Sequence, residues 1–328
     1  MRRRLLSLVS LPLILLVSCS KDPHPDPWKR LQEEDAPRVT ATFYPLYDWV
    51  NKILGNTYED GEFLTDNLGF CIDFSGNSDP HEFDPSDPSL LAEASDSFLI
   101  VSLMDGFDSW SESIGDGRIP EVKAGEVSGL TDLDGDPIDG SQGSIDPHVW
   151  LSPKRAISIF DSISEVVIEN YPDPEAIPEL EKNSEEYRKV LADLDRTYTE
   201  ALEPHGGELL LTSHEAFSYL CLDYGLEQVG IADFADNIPG PDRLAQIEDL
   251  VVEKDIHCIY VESLDSHSAV DVLIEDIGLS NPGYRIEIRE LSALESLPYE
   301  SLMEGEDYVS VMTKNLGEIM AQFGGATL

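Results

Sequence analysis

Glu208-Leu209-Leu210-Leu211-Thr212-Ser213-His214-Glu215-Ala216-Phe217 is the stretch on which the reading of the fold turns. Its opening apolar run is of the kind buried on both faces in a parallel sheet, and a histidine stands just past its end. Upstream, Pro204 and Gly206-Gly207 end what reads as one long helix from Pro174 to Glu203. Ile177, Leu180, Tyr187, Val190, Leu191, Leu194, Tyr198 and Leu202 recur there at helical spacing, with charged residues between them, and the length makes this helix a candidate spine between two domains. Downstream, Ile256-His257-Cys258-Ile259-Tyr260-Val261 repeats the buried strand and ends at Glu262-Ser263. Nearer the start, Val39 to Phe43 reads as a strand, Tyr44 to Val50 as a turn into an amphipathic helix, Leu90 to Ser95 as a short helix and Ser97 to Val101 as another apolar strand. Strands alternating with helices indicate an α/β protein with mainly parallel sheets. Open sheets of this class bind ligands beyond the carboxyl ends of their strands, which is where His214 and Glu262 fall.

Two further histidines are framed in the same way: Asp79-Pro80-His81-Glu82 and Asp146-Pro147-His148-Val149-Trp150-Leu151. Neutral imidazole is a good ligand for borderline divalent metals, and three leave a fourth tetrahedral position for water or an oxygen ligand, so zinc is the first expectation. His81, His148 and His214 lie 67 and 66 residues apart, so only the fold can bring them to one site. A lone histidine is more often a hydrogen-bonded structural residue than a ligand. The tripeptide Asp-Pro-His is weak evidence by itself, since it recurs at Asp22-Pro23-His24 in a Pro-rich stretch. What singles out the three is their position at strand ends or loops beside clear elements. His205, His257 and His267 lack that framing and are read as surface or structural residues.

Met1-Arg2-Arg3-Arg4 and the apolar run from Leu5 to Val17 read as a secretory signal, shorter than the roughly 20 residues of a membrane span. Leu16-Val17-Ser18-Cys19 resembles a bacterial lipoprotein processing box, which implies cleavage before Cys19 and a lipid on its sulfur. The expected division is a signal peptide over 1–19, a Pro-rich tether over 20–37, a first lobe over 38–172, a connecting helix over 173–204 and a second lobe over 205–328. The formal net charge of −44 makes nucleic acid an unsuitable partner and reads otherwise as a solubilising or salt-adapted surface. With Cys19 lipidated, Cys71, Cys221 and Cys258 form an odd set that allows one disulfide and requires none. The Gly- and Asp-rich segment 125–145 is expected to be a solvated loop, since it lacks the closing Glu of an EF-hand.

Taken together, the motifs resemble those of the zinc and manganese receptors of bacterial ABC importers, the cluster 9 solute-binding lipoproteins. The resemblance covers nearly all of the mature chain. It rests on Thr42-Phe43-Tyr44-Pro45-Leu46-Tyr47, Pro80-His81-Glu82-Phe83-Asp84-Pro85-Ser86, Asp146 to Pro153, Thr212 to Leu220, Tyr224-Gly225-Leu226 and Tyr308 to Asn315. It implies two α/β lobes, each a mainly parallel sheet flanked by helices, joined by one long rigid helix, with metal in the cleft between them. His81 and His148 would come from the first lobe and His214 from the second. In manganese-type relatives the third position looks like Glu, so His214 favours zinc over manganese, in accord with the harder ligands manganese prefers. The implied setting is an extracytoplasmic, lipid-anchored monomer that hands Zn2+ to an ABC permease, with release on docking as the lobes are drawn apart.

Two departures qualify the match. The position that often carries an Asp ligand is Ser292, in Leu291-Ser292-Ala293-Leu294, so the fourth ligand is expected to be water or else Glu262, Glu290 or Glu295. The His-rich loop of many zinc-type relatives is replaced here by the acidic 125–145 segment. A zinc hydrolase and a metal-stabilised adhesin are the readings from other classes. The hydrolase is disfavoured because Ser218 stands where a His-Glu-x-x-His motif starting at His214 would need its second His.

Overall fold

The computed structural model describes residues 36–59, 61–76, 78, 80–81, 83, 85, 88–128, 145–232, 240–262 and 268–324. The signal peptide, Cys19, most of the tether and most of the acidic loop lie outside the described residues, as do His24 and His267. No described helix is long and apolar enough to cross a membrane.

The first lobe holds β1 (Arg38–Ala41), α1 (Tyr44–Ile53), the hairpin β2 (Asn56–Glu59) and β3 (Glu62–Thr65), β4 (Phe70–Asp73), α2 (Pro88–Ala94), β5 (Leu99–Ser102) and β6 (Glu121–Lys123). Its four-stranded sheet runs β4-β1-β5-β6, parallel throughout. Then come α3 (Pro153–Asn170) and α4 (Ile177–Leu202). The second lobe has β7 (Leu209–Thr212), α5 (Ser218–Tyr224), β8 (Glu227–Gly230), α6 (Pro241–Glu253), β9 (Cys258–Val261), α7 (Ser268–Ser280), β10 (Glu287–Glu290), α8 (Tyr299–Met303) and α9 (Tyr308–Gln322). Its sheet, again fully parallel, has the order β10-β9-β7-β8. This is the two-lobed α/β architecture expected from the alternating strands and helices, and strands β1, β5 and β9 are buried at every position, as parallel strands covered on both faces should be.

α4 is the spine. Leu180, Tyr187, Leu191, Leu194, Tyr198 and Leu202 are buried along one face. Val190 departs from the expected stripe and is 42% exposed. At 100° per residue it stands off the line through Tyr187, Leu191, Leu194 and Tyr198, and the chain leaves that flank to solvent. The Tyr198 hydroxyl donates to the Met312 carbonyl at 2.6 Å, tying the spine to α9. Cys71, Cys221 and Cys258 are buried free thiols on β4, α5 and β9. His205 stacks on Phe323 and His257 on Tyr284, so both are structural, as their unframed positions indicate.

The lobes are joined by more than the spine. The turn that carries His148 belongs to the first lobe in sequence, yet the second lobe holds it. Tyr219 donates to the Asp146 carbonyl (2.7 Å), Tyr308 to the Trp150 carbonyl (2.7 Å), and Trp150 Nε1 to the Ala293 carbonyl (2.8 Å). Asp223 on α5 accepts from Ser152 Oγ and Arg155 Nε, both at 2.7 Å, and the Arg155 guanidinium lies over the Tyr219 ring. Arg155 and Asp223 are 10% and 6% exposed, so each would be an uncompensated buried charge without the other. Lys52 on α1 reaches across to Asp307, the N-cap of α9, at 2.9 Å.

Asp223→Ala is expected to lower the unfolding free energy by roughly 3 kcal/mol, measured by urea titration, because it strands Arg155. A second expectation concerns Asp48, buried on α1. Burial pushes its carboxyl up to about 6, against the pull of Lys52 and the Tyr187 hydroxyl. A carboxyl that is harder to ionise in the folded state makes stability fall as pH rises from about 4, its unfolded value, through about 6. Asp48→Asn should therefore flatten the pH dependence of the urea midpoint across that window; an unchanged slope would refute the assignment.

Candidate metal centre

All the predicted site residues that are described, except Glu290, converge between the carboxyl ends of the two sheets. His81 follows β4, His148 stands in the turn before α3, and His214 lies two residues past the end of β7. The ligating atoms of His81, His148 and His214 lie within 4.8 Å of one another. His81 Nε2 is 3.2 Å from His148 Nε2. Glu295 Oε1 lies 3.1 Å from the first and 3.2 Å from the second. Donors bound to one tetrahedral zinc at about 2.0–2.1 Å are separated by roughly 3.3 Å, so these spacings suit a shared cation. Glu290 ends β10 on the exposed side and joins neither acidic-histidine cluster found among the described residues. Ser292 takes no part either: its backbone N–H donates to Asn315 Oδ1, and its hydroxyl accepts from the Leu294 N–H.

Each histidine is placed by local backbone chemistry. His214 is set by the strand end: Ser213 N–H donates to the Tyr260 carbonyl and Ala232 N–H to the Ser213 carbonyl, while the Thr212 hydroxyl donates to the His214 carbonyl. His148 sits in a tight turn in which Asp146 Oδ1 accepts from both its backbone N–H (2.9 Å) and its Nδ1 (2.8 Å). Glu262, at the end of β9, meets His214 Nδ1 at 2.8 Å. Glu295 is aimed by a strained turn in which Leu294, 1% exposed, has a φ of +55°. A bulky non-glycine residue held there costs of order 1 kcal/mol or more, offset by packing and by the Trp150 bond to the neighbouring Ala293 carbonyl.

Water access is graded. The His148 and His214 side chains are 0% and 3% exposed and that of His81 is 21% exposed. Aromatic rings form the wall, with Phe107 edge-on to His81 and Trp150 beside His148. Burial works against protonation of His148, but hydrogen bonds to Asp146 and Glu295 outweigh it and the net shift is upward. Burial likewise works against ionisation of Glu295, yet its bonds to His148 and His81 hold it well below the usual carboxylate range. The site thus keeps an anion amid imidazoles, a field suited to a cation. A surface hollow of about 650 Å³ beside Leu91, Ser113 and Arg118 lies elsewhere, and neither donor cluster found among the described residues lines it. Sequence reading missed the Nδ1 partnership of Asp146, although its place two residues before His148 was visible. It also missed the conformation of Leu294, for which no sequence signal exists.

The family described as "ZnuA: Zinc-uptake complex component A periplasmic" matches residues 39–322. The chain is 32% identical over 328 residues to the zinc-binding lipoprotein AdcA of Streptococcus pneumoniae (strain ATCC BAA-255 / R6), covering 96% of this chain and 60% of that relative. It therefore spans about 60% of the length of that protein. It is 28% identical over 296 residues to the high-affinity zinc uptake system protein ZnuA of Bacillus subtilis (strain 168), with 86% of each covered. Among solved structures, Zn(II)-bound AdcA from Streptococcus pneumoniae superposes with a TM-score of 0.69 at 28% identity, covering 89% of this chain and 59% of that one. The periplasmic zinc-binding protein TroA of Treponema pallidum, at a TM-score of 0.72 and 19% identity, shares the fold. With a match running from the first strand to the last helix, the chain belongs to the ZnuA family of periplasmic zinc-uptake components.

Proposed function

We propose that this protein is an extracytoplasmic receptor that captures Zn2+ between its lobes and delivers it to an ABC permease. His81, His148, His214 and Glu295 are its metal donors in this reading. The observation that carries it is the close approach of His81 Nε2, His148 Nε2 and Glu295 Oε1, within 3.1 to 3.2 Å, with His214 closing the group. The sequence expectation favoured water as fourth ligand; the Glu295 geometry supports the carboxylate instead. Three imidazoles and one carboxylate suit zinc better than manganese. The names and zinc-bound structure of the relatives support the same cargo. Membrane attachment through a lipid on Cys19, the division into lobes 38–172 and 205–328 about helix 173–204, and a monomeric state belong to the same proposal. A receptor must let its cargo leave, so the ion exchanges while the lobes stay folded. Delivery separates the donors when the permease draws the His214 lobe from the His81 side, and a docking assay without metal transfer would overturn that step.

The direct test is metal content by elemental mass spectrometry after dialysis of the chain lacking residues 1–19 against equal zinc and manganese. One zinc per chain is expected. Losing one of four donors should cost roughly 3 kcal/mol, a quarter of a typical site's binding energy, so His214→Ala and Glu295→Ala should each weaken zinc about 100-fold. Zinc binding indifferent to both variants, or a preference for manganese, would overturn the reading. The pH dependence follows from competition with protons. His148 must be unprotonated to bind, and its pKa is raised, so affinity measured by chelator competition should rise with pH through the range above the usual imidazole value.

A further inference from the structure

We propose that Asp146 and Glu262 are positioning residues, each holding the Nδ1 of one histidine, His148 and His214 respectively, so that the imidazole presents Nε2 to the cation. This rests on the zinc-receptor reading and extends it to two side chains outside the donor set. The two pairs share one geometry, a carboxylate oxygen 2.8 Å from Nδ1, although they sit on different lobes and arise from unrelated local structure. In the first, the carboxylate belongs to the same turn as the imidazole; in the second, it comes from the end of β9, the strand beside β7. An imidazole that donates from Nδ1 keeps its lone pair on Nε2, the nitrogen free to ligate, and the bond also stops rotation of the ring.

Asp146 shows what this arrangement costs. It is 1% exposed, its Oδ1 is spent on His148, and its Oδ2 is buried without a hydrogen-bond partner among the described residues. A buried carboxylate satisfied by one residue is expensive, and packing alone gives no reason to keep it. The Tyr219 hydroxyl, from the other lobe, holds the Asp146 carbonyl and so fixes where the pair stands relative to His214. The rival for Glu262 is a role as a donor itself, because its oxygen lies within 4.8 Å of ligating atoms of His214 and Glu295. The two nitrogens of an imidazole diverge, however, and Glu262 occupies the Nδ1 side, while Glu295 approaches the Nε2 atoms of His81 and His148.

The experiment uses the chain lacking residues 1–19, as wild type, Glu262→Ala, Glu262→Gln, Asp146→Asn and His214→Ala. Glu262, at 13% side-chain exposure, is the lead position, and Asp146→Asn keeps an acceptor for the turn should the buried site tolerate little else. Zinc affinity by chelator competition should fall about 10- to 100-fold in Glu262→Ala and recover in part in Glu262→Gln. The Co2+ absorption spectrum of Glu262→Ala should keep the shape and intensity of the wild type, whereas His214→Ala should change both. Nitrogen-15 NMR of the metal-free protein at high pH should place the proton of His148 and His214 on Nδ1, with Glu262→Ala freeing the tautomer of His214 and not that of His148. Unchanged affinity with an unchanged tautomer would overturn the proposal. So would a Glu262→Ala cobalt spectrum altered like that of His214→Ala, which would make Glu262 a donor. Wild-type protein that binds no zinc would defeat the receptor reading instead, and the tautomers of the metal-free protein would still decide the roles of Asp146 and Glu262.

Discussion

Four electron-rich donor atoms held near one another, in a cleft largely closed to water, are the constraint around which the rest of the structure is arranged. His148 and His214 are nearly inaccessible, and Glu295 stays ionised beside them. Such a group is unfavourable unless a cation or shared protons lie among the donors, since their lone pairs repel and their hydration has been removed. The protein must therefore supply rigidity from elsewhere. A loose cleft would let these four groups drift apart.

That rigidity comes from the join between the lobes. The spine α4 buries a continuous apolar and tyrosine face, but a helix alone would leave the lobes free to rock. The turn around His148 adds a second tie between them, because Tyr219, Tyr308, Asp223 and the Ala293 carbonyl of the second lobe all bind it. The bond from Trp150 to Ala293 links the His148 turn to the strained turn before Glu295, so these two side chains from opposite lobes share one hydrogen-bonded unit. His81 stands apart from that unit as the most exposed of the three histidines.

The charge of the chain acts on a different scale. A formal net charge of −44 surrounds the site with a negative field that attracts cations generally, yet salt screens it within about 10 Å and it has no means of telling zinc from calcium. In the proposed zinc receptor, selectivity belongs to the imidazoles, whose softer nitrogen donors favour borderline metals.

The amino-acid sequence by itself determined the alternation of strands and helices, the spine and the three histidines, because each is written in short-range patterns: apolar runs of strand length, 3.6-residue spacing, and histidines at strand ends flanked by proline, serine or glutamate. It left the fourth ligand open between water and Glu262, Glu290 or Glu295, because the three carboxylates all lie at or beyond the ends of second-lobe strands and look alike in one dimension. Only the tertiary structure separated them, turning Glu290 outward on β10, setting Glu262 against His214 Nδ1 and bringing Glu295 to the Nε2 atoms of His81 and His148. The physical reason is that a side chain's direction depends on turn geometry, here a left-handed Leu294, and on contacts such as Trp150 to Ala293 between residues more than a hundred positions apart. No local pattern encodes such a contact, and it exists only once the two lobes have packed.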